Sequence, residues 1–504
     1  MIDAPPTSLR PRISTLVSIL IAIVAAILRF YRLGTKSIWL DEGMSIAIAR
    51  LPWNQFFKLI WAREANMTAY YVVLHFWLKL GSSEYFIRSL SAILGVATVT
   101  VVEMLGRELF DRTTGWIAAA LLALNAWHIA ASQEARGYSL AMLALALSAY
   151  FLARLLRTRD AEDRTVRRNS VLFALASVLA IYCHLYAALV VASEWIAAAF
   201  AWPSDADRRR QFFRAFRLSV YFVSPLILFL AMRGTSQIGW IAQISRGLFR
   251  QFIYDLTGGG GIALQALYAL GFVLSAVVAI RAARAAKTTR ALWPYLLVWA
   301  WAVIPPVIVL LLSKFWKPVF FPRYLIVILP AFVLIAASGV ARLRPNWAMA
   351  LLTFALLAFS VDAIRKNRDA YFEFGRDDWR SATKFVVSYS GLDDAAIFLT
   401  APGRAPFEYY RRQVRAERPQ VISPAHGANP REIDFRDLQP EPLAETFQTL
   451  PESSPRIWLI LSPYSPDNPL DRGTMFMRHW CETRYRLAQE NRFSGIDVLL
   501  YTKP

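Results

Sequence analysis

The chain has 504 residues, is 56% hydrophobic and only 18% charged, and carries a formal net charge of +20. Soluble domains sit nearer ~45–50% apolar and ~25% charged, so a disordered chain and an ordinary soluble enzyme are both excluded. The charge does not describe a nucleic-acid surface either. Residues 363–504 hold 20 basic and 19 acidic side chains, and the basic excess lies in residues 1–362, between apolar runs. That is the pattern of cytoplasmic loops in a polytopic membrane protein.

In chain order, the first apolar run covers 13–31. Arg10 and Arg12 precede it, and it closes on Arg29 and Arg32 where a cleaved leader would carry small residues. It therefore reads as a retained first span with a cytoplasmic N-terminus. Further runs lie near 89–106, 114–131, 138–156, 170–182, 184–202, 217–232, 262–280, 291–313, 324–341 and 347–362, which makes eleven spans. With eleven, the N-terminus and the connections 107–112, 154–168, 208–217, 281–290 and 342–344 share one side and hold 21 Lys and Arg. The segment Ala69–Leu80 is too short for the ~20 residues of a spanning helix. Counting it as a span would carry three basic connections across the membrane, so it is placed as an amphipathic helix in the interface. The 170–202 stretch is divided at Cys183–His184 for the same reason of parity.

This topology leaves a long first outer loop, 32–88, and a second, 234–261, with a surface helix and a Gly258–Gly261 turn. Residues 1–362 form the transmembrane domain. Residues 363–504 form a small α/β domain outside, with helices expected at 378–388 and 475–486 and short buried strands at 395–400, 457–462 and 496–502. The two cysteines, Cys183 and Cys481, have no zinc-type spacing, and one bridge between them is the most they allow.

Ionisable residues on the outer face are the functional candidates. Asp41 and Glu42 follow the first span in Ser37–Ser45. Neighbours on a regular backbone point differently, so one can face a site while the other is structural. A helix cap at Asp41 is the plainer alternative. The third span ends in SQEARGY, with Glu134, Arg136 and Tyr138, where an interfacial ion pair with a Tyr anchor would explain the residues equally well. His184 lies at the turn between spans five and six. Lys317, Arg323 and Tyr324 flank the tenth span, where guanidinium can hold phosphate through two bonds or simply meet headgroups. Glu64, Asn66, Tyr70 and His75 are weaker candidates in the first loop. A divalent metal on Asp41, Glu134 and His184 is left open.

Taken together, LGxxSxWxDExxS at Leu33–Ser45, SQEARxY at Ser132–Tyr138, His184, and PRYxxxxLP at Pro322–Pro330 resemble the protein mannosyltransferase and aminoarabinose transferase group of GT-C membrane glycosyltransferases. The resemblance implies a GT-C fold with juxtamembrane helices in the first outer loop, in a bacterial inner membrane with the C-terminal domain periplasmic. It implies inverting transfer of a sugar from a polyprenyl-phosphate donor to a lipid, glycan or protein acceptor, amid membrane lipids and without nucleic acid. Asp41 matches the family's general base and Glu42 its second acid, with Glu134 a further catalytic candidate. Arg136, Tyr138, His184, Lys317, Arg323 and Tyr324 fall at the donor phosphate and sugar, and Glu64, Tyr70 and His75 at the acceptor side. Two departures stand out. Met67–Tyr71 replaces a Pro-Pro-Leu-Tyr-Tyr-like segment, and Glu134 stands near where the aminoarabinose transferases carry a second Asp. The competing class is a transporter or flippase, for which Glu194 within a span is the best residue, but no repeated halves accompany it.

Overall fold

The computed structural model describes residues 10–62, 65–157, 163–201, 206–233, 241–285, 292–368, 377–398, 401–419, 421–423, 433, 454–462 and 472–504. Among them, nine helices are long and apolar enough to cross a membrane: Ile13–Phe30, Glu84–Leu109, Tyr138–Leu156, Arg164–Cys183, Ala206–Arg233, Gly261–Ala285, Trp293–Phe315, Pro322–Val340 and Asn346–Lys366. Arg112–Ala123 and Ala126–Ser132 qualify only as a pair bent by 65°, which would make ten. Ala187–Phe200, with 14 residues, is a shorter apolar helix. Every apolar run of the sequence is thus helical, but two of the eleven are not whole straight spans. The segment expected in the interface forms the 10-residue helix Thr68–Trp77.

The chain divides into two compact units. The first comprises Met1–Tyr31, Ala65–Tyr70 and Ser89–Tyr371. At its centre is Leu329–Val340, all of whose residues are buried. Gly261–Ala285 packs on it closely: a Cβ added to Gly339 would come within 2.2 Å of the Gly271 carbonyl. Such small-residue contacts let helix backbones approach where no hydrophobic drive operates between them.

The 65° break has a clear cause. Asn125 caps the second half-helix by accepting from the His128 backbone N–H at 3.0 Å. The carbonyls freed at the end of the first half are taken by Arg29, whose guanidinium donates to Leu122 O at 3.2 Å and Ala123 O at 3.2 Å. It also donates to Ala25 O at 3.0 Å and to His128 Nδ1 at 2.5 Å. Buried backbone groups away from water need such partners. The surface helix of the second outer loop is Arg246–Leu256, capped by Ser245 Oγ on the Leu248 N–H at 3.1 Å. It ends in glycines with φ of 78° and 79° at Gly258 and Gly259, a backbone that side chains disfavour.

The second unit comprises Arg32–Glu64, Tyr71–Arg88 and Phe372–Pro504. Its sheet contains β1 (Ala395–Phe398), β2 (Val421–Ser423), β3 (Arg456–Leu461), β4 (Arg486–Phe493) and β5 (Ile496–Thr502), in the order β2-β1-β3-β5-β4. β1 pairs parallel with β2 and β3, while β5 runs antiparallel to β3 and β4. One face of the sheet packs Ile397, Leu459, Leu499 and Tyr501 against Met477 and Cys481 of the helix Arg472–Glu482. On Trp379–Tyr389, Asp378 caps the start, and Phe385 meets the rings of Trp458 and Phe493 at 5.9 and 5.8 Å. Both cysteines are buried free thiols, so the bridge considered from the sequence does not form.

Candidate functional site

The candidate residues fall in both units. In the second, Asp41 lies in the first turn of the helix Leu40–Arg50, whose N-cap is Trp39, so capping is not its role. What positions this helix is the treatment of the irregular segment before it. Arg88 donates to the carbonyls of Leu33 at 3.1 Å, Lys36 at 2.8 Å and Ser37 at 2.9 Å. Arg380 donates to those of Gly34, Thr35 and Lys36 at 3.1, 3.1 and 3.2 Å. Five consecutive carbonyls therefore end on two guanidinium groups. Each guanidinium has its own acid. Arg88 Nε and Nη2 meet the two Glu42 oxygens at 2.8 and 2.6 Å, and Arg380 meets Glu84 at 2.7 and 3.0 Å. Tyr410 accepts from the Ile38 N–H at 2.6 Å and donates to Glu84.

The helix itself docks on Ala401–Gln413. A Cβ on Gly43 would lie 2.7 Å from Pro406, so only glycine allows this approach. Asp41 and Glu42 thus have different surroundings: Glu42 is buried with both oxygens engaged by Arg88, while Asp41 is half-buried.

In the first unit the SQEARGY turn is fixed from behind. Gln133 Nε2 donates to the end of the first helix at Leu28 O, Arg29 O and Tyr31 O, at 3.3, 3.2 and 2.9 Å. Gly137 passes tightly under the 183–186 turn, where an added Cβ would be 2.9 Å from Cys183 O. Around this contact Glu134 takes Arg323 Nη2 on both oxygens at 2.7 and 2.9 Å. The Arg323 guanidinium also lies 5.7 Å over the Tyr138 ring.

His184 is buried among Tyr138, Tyr186 and Tyr324, with ring centroids 5.6, 5.5 and 4.9 Å away. Its Nδ1 accepts from the Tyr186 N–H at 3.2 Å, which puts the proton of the neutral ring on Nε2. Burial, with the nearby Arg136 charge, pushes its pKa down to about 3. Nε2 is buried and finds no hydrogen-bond partner among the described residues. The turn is tied to the 317–324 segment through Tyr186, whose hydroxyl donates to Val319 O.

The first unit thus gathers Glu134, Arg136, Tyr138, His184, Arg323 and Tyr324. Lys317 is exposed at the end of the preceding helix, its ammonium 5.9 Å from the Trp316 ring. Tyr70 is buried and its hydroxyl pairs with Ser91 at 3.0 Å. Asn66 accepts from the Leu185 N–H at 3.1 Å. In the second unit His75 bonds Ala49 O at 2.7 Å and packs on Trp53 at 4.3 Å. Glu64 lies outside the described residues. Glu194 accepts from Ser148 at 2.5 Å in a buried pocket of serines. Among the described residues no group of three His, Cys, Asp or Glu could hold a metal ion.

The fold built by these elements has known counterparts. The structure of ArnT from Cupriavidus metallidurans in the apo state is similar over 96% of this chain and 97% of that one, with a TM-score of 0.62 at 14% identity. The structure of the same protein bound to undecaprenyl phosphate gives 0.60 at 13% identity, with the same coverage. The chain has the GT-C fold. Archaeal oligosaccharyltransferase AglB from Archaeoglobus fulgidus, solved with an inhibitory peptide and a dolichol-phosphate, shares it more loosely: a TM-score of 0.52 at 10% identity, over 80% of this chain and 64% of that one. No family model and no curated protein matches the sequence. With this fold and nine or ten candidate spans among the described residues, the chain is a multi-pass membrane protein.

Several residues near the candidates in each unit were not legible in the sequence. Arg88, Glu84, Arg380 and Tyr410 pin the segment before Asp41, yet in the sequence they are ordinary charges beside a span or in a soluble domain. Asp255, on the surface helix, is half-buried. Burial raises its pKa to about 6, against the opposing effects of the Gln251 hydrogen bond and the Arg323 charge. Its one visible signal was an acid on an amphipathic outer helix.

Proposed function

We propose that this chain is an integral membrane glycosyltransferase that moves a sugar from a polyprenyl-phosphate donor to a lipid, glycan or protein acceptor at the outer membrane face, with inversion. The observation that carries the reading is Asp41 on a helix whose lead-in is locked by two paired arginines, in a chain that follows the GT-C fold from end to end. The undecaprenyl phosphate bound to ArnT supports a polyprenyl-phosphate carrier here. The eleven-span topology, with the N-terminus cytoplasmic, belongs to the same proposal.

The chemistry follows from the residues. Asp41 takes the proton of the acceptor hydroxyl or amine as that atom attacks the anomeric carbon. The bond between that carbon and the phosphate oxygen breaks on the opposite face, and the polyprenyl phosphate leaves with the bonding pair. The leaving group is already a phosphate, so no general acid is required. Arg136, Lys317 and Arg323 stabilise its charge, and the His184 Nε2–H offers a neutral donor. Glu134 and Glu42 act through their arginines as positioning residues. Tyr138 and Tyr324 pack the ring of His184, and Tyr70 and His75 shape the first loop toward the acceptor.

The test is transfer of labelled sugar from purified polyprenyl-phosphate sugars by the protein in membranes. Asp41→Asn should fold normally and lose roughly 10²–10⁴ in rate, the usual worth of a general base. Full activity in Asp41→Asn would remove it as the base. A folded wild-type protein that transfers from no polyprenyl-phosphate sugar would reject the transferase.

A further inference from the structure

The transfer step makes no use of Glu194, a fully buried acid in the apolar helix Ala187–Phe200. Its Oε2 lies 2.5 Å from the hydroxyl of Ser148, on the helix Tyr138–Leu156. Ser148 Oγ is in turn 2.8 Å from Ser177 Oγ, on the helix Arg164–Cys183. Ser177 ends the series by donating to Phe173 O at 2.8 Å. Both serines are as buried as the acid. One chain of polar groups thus crosses three helices of the membrane unit.

Each serine hydroxyl has a single hydrogen to give. Phe173 O can only accept, so Ser177 commits its hydrogen there. Ser148 must then donate to Ser177, and its own hydrogen is committed. The contact between Ser148 and Glu194 Oε2 has a hydrogen only if the acid supplies it. With an ionised Glu194, Ser148 would donate to the carboxylate and Ser177 to Ser148, and the Phe173 contact would hold no hydrogen. A carboxylic acid therefore satisfies all three contacts, and a carboxylate only two.

The surroundings agree. Among the described residues no Lys, Arg or His pairs with Glu194, and its Oε1 is buried without a hydrogen-bond partner. An ion left so in an apolar interior costs far more than a neutral carbonyl oxygen. The elements packed on Ala187–Phe200 carry their charged residues toward their ends: from Arg154 onward in Tyr138–Leu156, up to Arg168 in Arg164–Cys183, and Lys314 in Trp293–Phe315. Arg323 of Pro322–Ile328 is engaged by Glu134.

We propose that Glu194 is held as a neutral carboxylic acid whose proton closes this chain through Ser148 and Ser177, and that the chain supports the turn bearing His184. The three helices it joins meet at that turn: Tyr138 begins the first, the second runs into His184, and the third starts at Ala187. Ser148 lies ten residues after Tyr138, Ser177 seven before His184 and Glu194 ten after it. The chain therefore ties the helices roughly 10–15 Å along their axes from the turn, at ~1.5 Å per residue. Glu194 is a positioning residue, acting through the helices that bear Tyr138 and His184. That consequence for transfer rests on the transferase reading. The bound proton does not.

The experiment is infrared difference spectroscopy of the full-length protein in lipid, wild type minus Glu194→Gln, at neutral pH, well above the ordinary Glu value of about 4.3. A protonated carboxyl has a C=O stretch that a carboxylate lacks, and wild type should show one that the variant loses. Its frequency should shift in Ser148→Ala, which removes the acceptor of the proton. Glu194→Gln, whose amide can still donate to Ser148, should keep the thermal midpoint near that of wild type. Glu194→Ala should lower the folded-to-unfolded ratio roughly tenfold or more, as expected for a buried chain left without its donor. In transfer assays Glu194→Gln should keep kcat. Folded Glu194→Ala, and to a lesser degree Ser148→Ala, should lower it, since a shift of about 1 Å in site groups can cost ~10²-fold. Absence of a Glu194-dependent acid band, or equal destabilisation by Gln and Ala, overturns the bound proton. Full kcat in both Glu194→Ala and Ser148→Ala overturns the positioning role. Should the wild type transfer no sugar, the transferase reading falls while the spectrum still decides the proton.

Discussion

Arginines hold irregular backbone in both units, but by different means. In the unit that contains the sheet, Arg88 and Arg380 grip the carbonyls of residues 33–37 and are each neutralised by an acid, Glu42 or Glu84. In the membrane unit, Arg29 holds the carbonyls at a helix break and that of Ala25 in its own helix, and it also donates to the imidazole of His128. Among the described residues no carboxylate pairs with Arg29. Arg88 and Arg29 are both buried, and the contrast between them shows two ways to accommodate a guanidinium inside a protein. One is an ion pair, and the other is a cluster of helix-end dipoles. The first breaks when either partner goes, and the second fails more gradually.

The comparison can be broken at its strongest point. Glu42→Ala leaves Arg88 buried and uncompensated, which should cost about 3–5 kcal/mol, read as the loss of a thermal or denaturant transition in detergent. Arg29→Leu leaves the Leu122 and Ala123 carbonyls without their donor, at about 1–3 kcal/mol for each unsatisfied group. Arg29→Lys should recover part of this, whereas Arg88→Lys should recover little, because its five contacts depend on the planar fork. Equal rescue in both units would remove the distinction. Gly43→Ala, pressed on Pro406, should cost about 1–3 kcal/mol and lower activity more than its stability loss explains, since it shifts the helix that bears Asp41.

The smallest effects concern pH. His184 has its pKa lowered to about 3, so it contributes stability that is complete above its ordinary value of 6.5 and is lost on acidification. The loss should run at about 1.4 kcal/mol per pH unit below that value. His184→Gln should flatten it. Asp255 runs the other way: its carboxyl is raised from 3.8 to about 6, so its charged form is disfavoured in the folded state. Its burden is absent below pH 3.8 and complete above about 6. Asp255→Asn should therefore gain on wild type as pH rises through that window. A parallel curve for the two proteins would sink this assignment.

Hydropathy and charge made the membrane helices legible, because each apolar run must satisfy its own backbone in lipid. They did not reveal the bend at 124–125 as a break, because its cause is Arg29, nearly a hundred residues earlier. Strands β1, β3 and β5 were visible as apolar runs. β4 was not, because RLAQENRF lies on a sheet edge with mostly exposed side chains and no alternation. The helix Ala401–Gln413 was hidden by Pro406 and its polar composition. In the candidate site, Asp41 and the SQEARGY residues could be read from local motifs. Arg380 and Tyr410 could not, since their partners lie more than 290 residues away in the chain.

The docking of Gly43 on Pro406 also imposes an order of events during synthesis. The helix that carries Asp41 leaves the ribosome early and can make its pair with Arg88 almost at once. Its other partner, Ala401–Gln413, is made about 350 residues later. At ~5–20 residues per second that is a wait of roughly 20–70 s. Over that interval the growing polypeptide carries Asp41 on an unfinished scaffold, so this docking can only be completed after the membrane helices have been made.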